Sequence, residues 1–190
     1  VSVKLLSEVN NRFQVALAFH RESADLFHFL ALPGFAAMHE YQYADEAKTQ
    51  RELKQFIIKT CHYALKDKLP QNANLLEPLT NGLDRTKMDA TKRWNVIQQA
   101  FNAYESWEHD TLIEYERVAG ELISEHEIAA HLFMAEIIKD VAEEWQRVSD
   151  MVIAFKGMDW DLAQLQGEQA ELKEEYEEKL ESIYANAPAD

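Results

Sequence analysis

The sequence predicts an all-α protein: a four-helix bundle with one long crossover between its second and third helices, followed by a long C-terminal fifth helix. Three observations carry this prediction. Five Gly and four Pro in 190 residues leave long stretches free of helix breakers. Apolar residues recur at three and four positions, the period of a helix with one buried face. And the 23 residues 68–90 show no sustained period at all.

Leu6, Val9, Phe13, Leu17, His20, Ala24, Phe27 and Leu30 share one face, which predicts a first helix over 3–31. Pro33-Gly34 breaks it, and a second helix follows over 34–67. "KLPQNANLLEPLTNGLDRTKMDA" at 68–90 is a long connection. A third helix over 91–123 aligns Trp94, Ile97, Phe101, Leu112, Tyr115, Ala119 and Leu122. "SEHE" at 124–127 has the Ser-x-x-Glu form of a capping box, so a fourth helix is expected to start there and to run to Gly157. Leu162, Leu165, Gln169, Leu172, Tyr176 and Ile183 mark a fifth helix over 160–184, with its run of Glu on the solvated side. Residues 1–157 thus read as the bundle, and 158–190 as a helix for docking or oligomerisation.

Connection lengths decide the topology. The two tight turns make helices 1–2 and 3–4 antiparallel hairpins. The second helix is roughly 50 Å long at about 1.5 Å per residue, and an extended connection of this length reaches about 75–80 Å. The chain can therefore return along the whole bundle, leaving helices 2 and 3 parallel.

The net charge of −15 argues against nucleic acid, which needs a basic face. No run of about 18 apolar residues is present to span a membrane. The one cysteine, Cys61, admits no internal disulfide and suits a reducing compartment, so a cytoplasmic location is the expectation.

Some inward positions do not look like core. The second-helix face Met38, Leu53, Phe56 or Ile57, and Thr60 puts Gln42, Glu46 and Thr49 inside. The third-helix spacing Phe101, Glu105, Glu108, Leu112 places two carboxylates in the seam, and Val141, Glu144, Val148 places one on the fourth. Counting from the turns, Glu46, Glu105 and Glu143 or Glu144 fall at one level, with His20 near it on the first helix. Carboxylates sharing a level in a bundle repel unless protonated or neutralised by a cation. Carboxylates with imidazole suit iron, manganese or zinc. The metal-site expectation is therefore Glu46, Glu105, Glu108, Glu143, Glu144 and His20, with His39 at the inward edge as a further candidate. His126 and His131, five apart in "HEIAAH", lie on different helix faces and do not have the spacing of a zinc site.

Over residues 5–156 the chain resembles the ferritin-like superfamily, most closely the non-haem ferritins. "LPGFAAM" at 32–38 is similar to the start of that family's second helix, "WNVIQQAFNAYESWEHDTLIEYERVA" at 94–119 to its third, and "DVAEEWQRV" at 140–148 to its fourth. The resemblance implies a bridging glutamate at Glu46 with Asp45 as an accessory acid beside it. It also implies a third-helix ligand at Glu105 and an active-site pair at Glu143 and Glu144. It departs at "EAKT", where Thr49 stands in place of the His of Glu-x-x-His, and on the first helix, where the ligand position falls between Gln14 and His20.

The resemblance implies iron, as a di-iron centre or otherwise, with manganese or zinc as alternatives. Metal ions and O2 are the implied partners, and a homo-oligomer the implied assembly. Function then follows one of three lines: Fe(II) oxidation, iron storage or both; a structural protein whose metal site has degenerated; or another dinuclear carboxylate oxidoreductase. Ferroxidase activity is the enzymatic expectation.

Overall fold

The computed structural model describes residues 2–67, 76–157 and 162–186, among which there is no strand. Helix α1 spans Ser2–Phe29, α2 Pro33–Cys61, the short α3 Glu77–Thr80, α4 Ala90–Ser124, α5 Ile128–Gly157 and α6 Leu162–Ala185. A 3-10 turn, Arg85–Lys87, lies between α3 and α4.

Two boundaries differ from the sequence expectation. α2 stops at Cys61 rather than 67, because His62 adopts the left-handed conformation (φ 54°, ψ 36°) and turns the chain. Asp67 then folds back to Lys54 at 2.8 Å. The expected capping box at Ser124 does not form. Ser124 is the last residue of α4, and its hydroxyl donates to the Glu121 carbonyl at 2.8 Å. The turn falls instead at His126, with φ 61°. A serine at a helix junction has carbonyls of the preceding helix within reach, and here they win. The crossover also carries local structure, α3 and the 3-10 turn, and Leu76 pins it to the core.

Side-chain pairings give the topology. His20 meets His39 and Asn10 meets Gln50, so α1 and α2 are antiparallel. Glu8 pairs with Arg117 and Arg12 with Thr111, so α1 and α4 are antiparallel too. Hence α2 and α4 run parallel, and the crossover between them returns along the bundle. Tyr104 with Glu144 and Ala119 with His131 set α4 against α5. α6 lies along α2 of its own chain, in the same direction: Gly34 meets Gln169 and Tyr41 meets Tyr176. Its glutamates are exposed, while Leu165, Gln169 and Tyr176 are buried.

The core is divided. One half gathers Phe27, Phe35, Phe101, Val152 and Phe155. The other gathers Leu6, Phe13, Leu53, Ile57, Tyr115 and Met134. At the level where the halves meet, each bundle helix supplies polar residues: His20 from α1, Gln42 and Glu46 from α2, Glu108 from α4 and Glu144 from α5. Thr60, read as inward, is exposed, because α2 runs past the end of the core there.

Candidate metal centre

Between the two half-cores lies a cleft of about 160 Å³. Among the described residues six carboxylates line it, those of Asp45, Glu46, Glu108, Asp140, Glu143 and Glu144, against one guanidinium, that of Arg147. Phe13, Ile137 and Val141 form its apolar walls. Glu143 is exposed, loosely paired with Lys139 at 3.9 Å, and marks the mouth.

Glu144 is satisfied on both oxygens. The Tyr104 hydroxyl donates to Oε1, and Arg147 pairs with Oε2 at 2.8 Å. Glu46 and Glu108 are not. Glu46 Oε2 and Glu108 Oε1 are buried without a hydrogen-bond partner among the described residues. A buried carboxylate without a partner takes up a proton or requires a cation. Burial, then the charges of Asp45 and Glu144, push the Glu46 carboxyl up to about 8. Burial, then Glu46 and Glu144, push Glu108 well above the usual carboxylate range. Burial also raises Asp45 and Asp140 at the side of the cleft. Arg12 opposes the rise at Glu46 and Glu108, yet its own donors go to the Thr111 hydroxyl at 2.8 Å and the Trp107 carbonyl at 3.4 Å.

On the α1 side of Glu108 sits His20. Its Nε2 is 3.8 Å from Glu108 Oε1, too far for a hydrogen bond, and is itself buried without a partner among the described residues. Its Nδ1 meets His39 Nδ1 at 3.0 Å. Burial holds His20 down to about 3 and, with the neighbouring ring, His39 well below the usual histidine value, so both imidazoles are neutral near pH 7. His39 stacks on Phe27 at 5.4 Å, 8° from parallel.

No protein-family model matches the chain, and no curated protein matches it in sequence. Among solved structures, one described as a humanized archaeal ferritin superposes with a TM-score of 0.73. The match covers 90% of this chain and 94% of that one, at 15% identity. The fold is ferritin-like.

On that ferritin-like frame the residues singled out in the sequence separate into two groups. Glu46, Glu108, Glu143 and Glu144 line one cleft, and His20 backs onto Glu108. Glu105 is not brought in. It accepts a hydrogen bond from the Ser149 hydroxyl at 2.8 Å, about one turn away along the bundle. The seam position expected for it belongs to Tyr104, 1% exposed, since spacings of three and of four both satisfy a helix face. His131 Nδ1 bonds the Ala119 carbonyl at 3.0 Å, and His126 sits in the α4–α5 turn. Cys61 ends α2 as a free, half-buried thiol.

Three contributors were not singled out by sequence reasoning: Tyr104, Arg147 and Asp140. Arg147 had a signal, lying three residues after Glu144 on the same helix face. Asp140 and Tyr104 carried the same signal, lying four residues before Glu144 and Glu108 on their helices, though the Tyr104–Glu144 bond is a contact between helices.

The donors fit a cation in chemistry, offering hard oxygens and an imidazole. In position they stand apart. Among the described residues no three His, Cys, Asp or Glu side chains are close enough together to enclose a metal ion. Binding therefore has to draw Glu46 on α2 and Glu108 on α4 toward each other across the bundle.

Proposed function

We propose that the protein binds Fe(II) in the inter-core cleft and oxidises or stores it. The observation that carries this reading is the pair of buried, unpartnered carboxylate oxygens, Glu46 Oε2 and Glu108 Oε1, in a cleft holding six carboxylates and one arginine. A cation neutralises this arrangement where protein groups do not. The ferritin-like fold and the sequence resemblance make iron the expected cation.

In this reading Asp140 and Glu143 attract the ion at the mouth, and Glu46 and Glu108 take it inside. Glu144, turned by Tyr104 and Arg147, completes the acidic wall. Burial favours release of the two carboxylic protons only when a cation replaces them, so uptake displaces protons. Each Fe(II) oxidised gives one electron to O2. The walls of Phe13, Ile137 and Val141 limit access of water. Oxidised iron is either retained or passed into a homo-oligomeric assembly.

A second reading has its own support. Thr49 stands where the resemblance implies a metal-binding imidazole, and the donors are not gathered. The protein is then a ferritin-like scaffold acting through assembly. Anaerobic Fe(II) titration followed by calorimetry, with metal analysis of protein purified without a metal-affinity tag, separates the two. Saturable binding that Glu108→Gln removes supports iron handling. Absence of saturable binding leaves the scaffold.

A further inference from the structure

The His20–His39 pair has no counterpart in the Glu-x-x-His pattern. It joins the first helix to the second, and its free end faces a carboxylate rather than solvent. His20 Nε2 and Glu108 Oε1 are each fully buried, each lack a hydrogen-bond partner among the described residues, and stand 3.8 Å apart. That separation is too long for a hydrogen bond. Bonds from a first-row cation such as zinc to nitrogen and oxygen run about 2.0–2.2 Å each, so one ion spans the gap between them.

Resting on the iron-handling reading above, we propose that His20 Nε2 is the nitrogen ligand of this site, supplied from α1 in place of the missing α2 histidine, and that His39 is its positioning residue.

The Nδ1–Nδ1 contact of 3.0 Å admits one proton between two neutral rings. When His20 Nδ1–H donates to His39 Nδ1, His20 Nε2 carries a bare lone pair directed at Glu108. A metal-bound histidine characteristically donates its other ring N–H to a fixed acceptor, which sets tautomer and orientation. Here the acceptor is a second imidazole. It is itself immobilised, stacked on Phe27 and packed against Tyr104, with ring centroids 5.4 and 4.7 Å apart. His39 is 1% exposed and cannot turn away to solvent.

Co(II) added to the full-length protein tests this, read by proton NMR of the paramagnetic complex and by calorimetry. The expected result is one strongly shifted imidazole N–H resonance that disappears in D2O. His20→Gln removes that resonance and weakens Co(II) binding at least tenfold. His39→Phe, which keeps a ring on Phe27 but removes the acceptor, weakens binding about ten- to a hundredfold and speeds exchange of the N–H. Persistence of the resonance in His20→Gln overturns the assignment. So does a wild type that binds Co(II) through Glu108, as shown by loss of binding in Glu108→Gln, yet gives no such resonance. Both of these outcomes leave the iron-handling reading standing. A wild type that binds no Co(II) overturns the two together.

Discussion

The side-chain carbonyl of Gln169 accepts hydrogen bonds from the backbone N–H groups of Gly34 at 2.9 Å and Phe35 at 3.1 Å, so α6 caps the start of α2. The residue at the N-cap position, Leu32, gives no side-chain cap. Two of the amides left open at any helix start are thus satisfied from the far end of the chain. Gln169→Ala should lower stability by about 1–2 kcal/mol. Gly34→Ala acts on the same joint by crowding. A Cβ there meets the Gln169 backbone oxygen at 2.7 Å and Leu172 Cβ at 2.8 Å. The expected cost is about 1–3 kcal/mol. Urea unfolding measures both, and midpoints equal to wild type would mean that α6 is not seated on α2 in solution.

Cation binding to the folded state should raise thermal stability, by about 2.7 kcal/mol at a hundredfold excess over the dissociation constant. Glu108→Gln should abolish the gain. Glu105→Gln, with its partner Ser149 outside the cleft, and Glu171→Ala on the exposed side of α6 should keep it. Thermal unfolding with and without Fe(II) under anaerobic conditions decides the matter. An equal gain in Glu108→Gln and wild type would place the ion elsewhere.

The contrast between Glu105 and Glu108 shows what the sequence could and could not express. Helix phase put both on the inner face, since positions four and seven after Phe101 both fit the period. Which of them is buried depends on Tyr104, whose ring fills the seam beside Phe19 and whose hydroxyl finds Glu144 on another helix. That is an inter-helix fact, and no period contains it. Topology was legible for the opposite reason. The length of the crossover and the tightness of the two turns are properties of the chain itself. Glu46 was legible too, as a charge interrupting an apolar stripe. The end of α2 was not, because His62 leaves the helix by adopting a left-handed backbone, a conformation for which His is enriched among non-Gly residues but which remains uncommon at any one His.

Stability of the metal-free protein should fall between pH 6.5 and 8. Glu46 is held near 8 against its usual 4.5, so its contribution is complete below pH 4.5 and is lost as the pH rises through 8. Glu108, raised for the same reason, acts in the same direction. His20 opposes them. Held down to about 3 against 6.5, its contribution is complete above pH 6.5 and is lost as the pH falls through 3. Above pH 6.5 the carboxylates act alone, each with a slope of at most about 1.4 kcal/mol per pH unit. Glu46→Gln should flatten part of the decline. Cation binding should tighten over the same window, because the protons to be displaced are held more weakly. Urea midpoints at half-unit pH steps read the first effect, and a wild type whose stability rises from pH 6.5 to 8 contradicts a protonated Glu46.

Thr49 lines the cleft three residues after Glu46, where its hydroxyl donates to the Asp45 carbonyl at 3.1 Å. That bond is internal to α2, so the side chain contributes no donor atom committed to the cleft. Residues three apart share a helix face, and a histidine at this position would stand beside Glu46 on the side away from His20. Imidazole is a better ligand for Fe(II) than a neutral hydroxyl. Thr49→His should therefore tighten anaerobic Fe(II) binding and speed iron oxidation by O2 relative to wild type. The ring is larger than the side chain it replaces, and overpacking against Phe13 and Ile137 carries a cost of about 1–3 kcal/mol. Circular dichroism and urea unfolding must show a folded variant before rates are compared at equal oligomeric state. The same substitution made in the His20→Gln background sharpens the result. If position 49 restores the binding that His20→Gln removes, then the cleft needs one imidazole and accepts it from either helix. A folded Thr49→His that is no tighter and no faster, beside a wild type that already oxidises iron rapidly, would mean that the wild-type ligand set is complete, with position 49 outside it.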